Sequence, residues 1–108
     1  MPEIPNGVEK MGNMFENCTS LVETTTIPNS VNMMSYTFQN CTSLETAPVI
    51  PESVDYLYAT FNGCSNLTGT IEINSTPFSY PNALKGTQIT EITGACSDAR
   101  KEQILATR

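Results

Sequence analysis

Four cysteines, Cys18, Cys41, Cys64 and Cys96, are the side chains of this 108-residue chain best suited to chemistry. The first three lie 23 residues apart. Thiols in such a set could act as a nucleophile, hold a metal or form a disulfide. A thiol nucleophile needs a base beside it, and the sequence has no histidine. A zinc site needs sulfurs converging to about 2.3 Å from the metal, yet no Cys-x-x-Cys spacing occurs. Equal spacing instead stacks the cysteines with parallel Cβ vectors about 4.8 Å apart, wider than the roughly 3.5–4.5 Å that a disulfide spans. These residues therefore read as buried free thiols that act as small hydrophobic side chains. No catalytic residue, metal or cofactor is expected.

Other polar groups add little chemistry. Asp55 and Asp98 are the only aspartates, and no calcium-binding loop pattern contains them. Asn17, Asn40, Asn66 and Asn74 each begin an Asn-x-Ser/Thr acceptor sequence. The first two follow from a repeat, so they read as turn residues bonded to nearby backbone. Residues 1–84 hold eight acids and one base, Lys10, while Lys85, Arg100, Lys101 and Arg108 lie in the last stretch. An acidic body repels phosphate, which argues against nucleic-acid partners. No apolar run is long enough to span a membrane, and the opening residues carry no signal-peptide pattern.

The elements that position these groups follow from the period. Phe15-Glu16-Asn17-Cys18-Thr19-Ser20-Leu21 returns as Phe38-Gln39-Asn40-Cys41-Thr42-Ser43-Leu44 and as Phe61-Asn62-Gly63-Cys64-Ser65-Asn66-Leu67. Ile4-Pro5, Ile27-Pro28 and Ile50-Pro51 keep the same step, as do Val8, Val31 and Val54, and Met11, Met34 and Leu57. Each copy presents an apolar edge that it cannot bury alone, and stacking buries it. The predicted core is Phe15, Phe38, Phe61 and Leu84, with Cys18, Cys41 and Cys64 and with Leu21, Leu44 and Leu67. The fourth copy is degenerate, with Leu84, Thr87 and Thr90 at the Phe, Cys and Leu positions.

The pattern predicts an α/β repeat: a solenoid of about four repeats over residues 1–96 and a capping helix over 97–108. Residues 21–27, 44–50 and 67–73 carry the β-forming Thr, Val and Ile and form a short parallel sheet, interrupted at Pro48. Pro28-Asn29-Ser30 and its equivalents are turns. Val31, Met34 and Phe38 approach helical spacing, so a short helix is expected there. Ser97-Asp98 starts a capping helix over 98–107, with Ile104 and Leu105 as its contacts and Arg108 suited to its dipole.

The sheet's outer face is the expected binding surface. Val22, Glu23, Thr25, Glu45, Thr46, Pro48, Thr68 and Ile71 vary between repeats and face outward. Of these, Glu23, Thr25, Glu45, Thr46, Thr68 and Ile71 are the candidate ligand contacts, for basic or hydroxyl-rich partners. Tyr36, Tyr56 and Tyr58 add contact area where they are exposed, although packing partly buried against the rungs is the expected arrangement. The chain opens part-way through a repeat. Further repeats, another domain, or self-association through the uncapped N-terminal rung are the expected covers for that end.

Phe-x-x-Cys-x-x-Leu together with Ile-Pro-x-Ser-Val, at a 23-residue period, resembles the BspA-like leucine-rich repeat family. The likeness is close over residues 4–73 and looser over 74–96. It implies a right-handed curved solenoid with one parallel sheet. It also implies a bacterial cell-surface or extracellular protein that adheres to protein or glycan, or a structural element of a surface stalk or phage tail on the virion. No catalytic residues come with the family.

Overall fold

The computed structural model describes residues 3–108. Regular elements are few among them: β1 (Thr68–Glu72), β2 (Gln88–Thr93) and α1 (Asp98–Leu105). β1 and β2 pair in parallel, with a register shift between Gly69 and Thr70. Isolated parallel bridges link Lys10 to Met33, Met33 to Tyr56, Tyr56 to Ser79 and Ile50 to Ile73. Each joins positions 23 residues apart, so successive copies of the repeat lie against one another as rungs.

Most of the contact between rungs runs through turns. The N–H groups of Met11, Asn13, Phe15 and Asn17 donate to the carbonyls of Met33, Ser35, Thr37 and Gln39 at 2.9, 3.1, 2.9 and 2.7 Å. Met34, Tyr36, Phe38 and Asn40 repeat the pattern onto Tyr56, Tyr58, Thr60 and Asn62, and residues 57–63 repeat it onto 79–85. The intervening N–H groups close tight turns within their own rung, as from Met14 to the Met11 carbonyl and from Glu16 to that of Asn13. These bonds replace the short helix expected near 31–38. The backbone reason is local: φ is +61° at Asn13 and Tyr36, +52° at Ala59 and +58° at Asn82. A positive φ in every copy breaks a right-handed helix.

The consensus polar residues act between rungs. Ser30 and Ser53 donate to the carbonyls of Val8 and Val31 at 2.7 and 2.6 Å. Buried Thr37 and Thr60 donate to Met11 and Met34 at 2.9 and 2.8 Å. Asn40 donates to the side chain of Asn17 at 3.0 Å, rather than to turn backbone, and both residues have positive φ.

The sheet is shorter than expected. Residues 21–27 and 44–50 form no strand, with a bend at Thr46 and a single bridge from Ile50 to Ile73. Glu45 N–H bonds the Val22 carbonyl at 3.0 Å and Thr68 N–H bonds that of Glu45 at 3.4 Å. Pro48 has no N–H to donate and is itself buried, not outward. Regular pairing begins only where Ile71 and Ile73 alternate with polar residues opposite β2.

The phenylalanines form a column: Phe15 stacks on Phe38 at 5.7 Å and Phe38 on Phe61 at 5.5 Å, with rings within 8° of parallel. Phe38, Phe61, Leu84, Cys41, Cys64, Leu44 and Leu67 are buried. Phe15, Cys18 and Leu21 are only half-buried, packed against the core from one side. They belong to the first described rung, which has a rung against one face only.

At the other end α1 lies across the last rung. Ser97 caps it, accepting from the Arg100 N–H at 3.2 Å. Ile104 is buried and Leu105 packs beside it. The Arg100 guanidinium sits 4.7 Å from the Tyr80 ring centre. The helix stops at Leu105, two residues before the expected end, so Arg108 lies outside its last turn. Arg108 donates instead to the Ile89 carbonyl at 2.8 Å.

Candidate functional site

The thiols come first. All four cysteines are free. Cys41 and Cys64 donate to the carbonyls of Phe15 and Phe38 at 3.1 and 3.0 Å, so each thiol ties its rung to the one before. Burial raises the pKa of Cys41, and Cys64 is pushed up to about 12, by burial first and then by neighbouring Cys41. Burial also raises Cys96, partly offset by a bond with Thr76. Such thiols stay protonated and are poor nucleophiles.

This has a consequence for stability. The folded pKa of Cys64 lies above its unfolded value near 9, so its stabilising contribution is complete below pH 9. It is lost as pH rises toward 12. The melting temperature is expected to fall across this window, and to fall less steeply in Cys64→Ala. A pH series of thermal melts on both proteins checks this.

The outward face gathers three of the six candidate ligand contacts. Glu23, Thr25 and Thr46 line one shallow groove of about 290 Å³, with Thr24, Thr26 and Val49. Glu45 and Thr68 are exposed but lie outside it. Ile71 is not on this face. It is 2% exposed and part of the core, because β1 alternates from Thr70 outward to Ile71 inward.

Two wider grooves adjoin the same threonine run. One, of about 600 Å³, is lined by Glu3, Ile4, Asn6, Pro28 and residues 24–26. The other, of about 590 Å³, starts at Thr26 and passes Pro28, Asn29 and Glu52 to Asn74 and Ala95. These turn-edge walls escaped the sequence reading, which treated Ile-Pro-x-Ser as turn chemistry alone. The one available signal was Thr24-Thr25-Thr26, a run that no other repeat carries.

The chemistry of the surface is uniform. Carboxylates of Glu3, Glu23 and Glu52, hydroxyls and amides line the grooves, and no lysine or arginine does. Among the described residues, no cluster of His, Cys, Asp or Glu could hold a metal ion. No described helix is long and apolar enough to cross a membrane. Such a lining can accept hydrogen bonds from hydroxyl-rich or cationic groups and offers Val49 and the prolines for apolar contact.

No curated protein and no solved structure matches the chain. A family model described as BspA type leucine-rich repeat region (6 copies) matches residues 2–100. That match covers nearly the whole chain and agrees with the rung-to-rung bonding at 22 and 23 residues. The chain belongs to the BspA type leucine-rich repeat family.

Proposed function

We propose that this chain is a non-enzymatic recognition module, displayed on a bacterial cell surface or outside the cell as part of an adhesive protein. Residues 1–96 form a right-handed solenoid and residues 97–108 its cap. The ligand is a protein or glycan that presents hydroxyl or cationic groups. The observation that carries this is the convergence of Glu23, Thr25 and Thr46 on a groove free of positive charge. Nucleic acid is not a partner, since the acidic surface repels phosphate. Insertion into a membrane is not part of the reading.

The test is binding to matrix-protein and glycan arrays, followed by titration of the best ligand. Glu23→Lys with Thr46→Lys is expected to weaken that ligand about tenfold or more, while the melting temperature holds. Unchanged affinity in the folded double variant would overturn the assignment of this groove.

A second reading is a structural element of a surface stalk or a phage tail on the virion. The half-buried Phe15, Cys18 and Leu21 of the first rung favour it. Light scattering across a concentration series separates the two. Assembly through that rung supports the second reading, and a monomer at high concentration counts against it.

A further inference from the structure

The turn side of the stack carries rings that the core does not use. The chain has four phenylalanines and four tyrosines. Phe15, Phe38 and Phe61 form the ring column, and Tyr80 lies under Arg100. The other four, Tyr36, Tyr56, Tyr58 and Phe78, gather on one surface. Tyr56 and Tyr58 flank buried Leu57 and lie on its outward side. Each meets a ring of an adjacent rung. Tyr58 packs on Tyr36 at 5.2 Å, and Tyr56 meets Phe78 at 5.5 Å and 85°. Phe78 is 66% exposed and Tyr56 41%. A single exposed ring is ordinary on a protein surface. Two perpendicular rings in contact instead form a corner that leaves aromatic face open to solvent. None of the four lines a groove of the sheet side.

Carboxylates border these rings. The N–H groups of Phe78 and Ser79 donate to the Asp55 carbonyl at 3.2 and 3.3 Å, and those of Asp55 and Tyr56 donate to the Asn32 carbonyl at 2.9 and 3.3 Å. Asn32 and Met33 bond the Glu9 carbonyl in the same way. Glu9, Asn32, Asp55 and Phe78 therefore stack as one column, which sets Asp55 beside Phe78 and next to Tyr56. The pKa of Tyr36 is raised, first by a hydrogen bond with Tyr58 and also by the Glu16 carboxylate, so Glu16 stands by the other ring pair. Bases are few here. Lys10 lies two rungs from Tyr56, Lys101 faces Asp98 at 3.9 Å, and Arg100 is held on Tyr80.

The chain itself shows how such a surface holds a cation. The Arg100 guanidinium lies 4.7 Å from the Tyr80 ring centre while it donates to the Pro77 carbonyl and to Gln103. A planar guanidinium stacks on a ring and donates sideways at once, whereas an ammonium is a point charge. We propose that Tyr56, Phe78 and Asp55 form a docking site for an arginine side chain of a partner protein, with Tyr36, Tyr58 and Glu16 receiving a second basic residue of the same segment. The guanidinium lies over the open ring face, within about 6 Å of its centre, and donates to the Asp55 carboxylate. Charge selects this occupant, since a neutral sugar would stack on the rings but gain nothing from the excess of carboxylates. The site is separate from the sheet-side groove, so the failure of either leaves the other standing.

The test is titration of the whole chain with a capped hexa-arginine peptide in about 0.15 M salt, read from the ring-proton signals of Tyr56 and Phe78. Saturable binding that shifts those signals is expected. The citrulline counterpart, similar in shape but uncharged, is expected not to bind. Tyr56→Leu with Phe78→Leu keeps apolar bulk and removes the rings. It is expected to weaken the arginine peptide about tenfold or more, with the melting temperature unchanged. Asp55→Asn gives a second reading that leaves the rings in place, with an expected loss of about threefold or more. Glu23→Gln removes a carboxylate from the sheet-side groove and controls for general attraction to an acidic protein. It is expected to change affinity less than about twofold. Equal losses in the leucine variant and in Glu23→Gln would show diffuse attraction and overturn the site. So would full affinity in the leucine variant, no binding of the arginine peptide, or a neutral oligosaccharide shifting the same rings in its place.

Discussion

Replacing Phe38 with alanine is expected to cost about 3–5 kcal/mol of folding stability, read as a shift in denaturation midpoint. Phe38 is fully buried between Phe15 at 5.7 Å and Phe61 at 5.5 Å. Its removal empties the middle of the ring column, and neighbours on both sides lose contact at once. The flanking rungs cannot collapse into the space, because four backbone bonds hold each at a fixed separation. Phe15→Ala is expected to cost less, since that ring is only half-buried. Thr46→Ala, at an exposed side chain, should cost below about 0.5 kcal/mol. Thr46 is a better outer control than Thr25, which is half-buried and already engaged. Equal losses for Phe38→Ala and Thr46→Ala would overturn the assignment of inside and outside.

Gly94→Ala is expected to cost more than about 2 kcal/mol, a large effect for one methyl group. Gly94 follows β2 with φ +97°, and a Cβ there would lie 2.6 Å from the backbone oxygen of Ile73. That oxygen also accepts the Cys96 N–H at 3.0 Å, so it cannot move without losing a bond. Gly69 is the control. Its φ is +81°, but nothing lies within 4 Å of the added methyl. Gly69→Ala should show only the backbone penalty, about 1–2 kcal/mol. Chemical denaturation of the two variants separates collision from strain, and a smaller loss at Gly94 than at Gly69 would refute the close approach.

Periodicity made the rungs legible. Phe38, Cys41 and Leu44 recur at a constant step with polar residues between them, and only stacking removes such an edge from water. Ser97-Asp98 likewise announced α1, because a cap is a local bond between neighbours. The surface was less legible. Ile71 is an apolar residue in a variable position, and alternation alone left its side open until the register shift beside Gly69 set β1 against β2. Pro48 was placed outward for its variability, yet it is buried.

The turn segments show where local reading ends. Val31, Met34 and Phe38 have helical spacing, but positive φ at Tyr36 and Asn40 and bonds to the next rung hold the chain in overlapping turns. Those bonds join residues 22 apart, so no window of sequence contains both partners. Gly94 falls at a variable repeat position, in phase with Thr25, Pro48 and Ile71, and its need for a bare Cα arises from Ile73, a residue 21 positions away. Amino-acid order thus dictated the period, the core types and the caps, since these depend on neighbours and on burial. Which carbonyl meets which N–H, and so the one-way sense of the ladder, follows from rung contacts that exist only once the chain has folded.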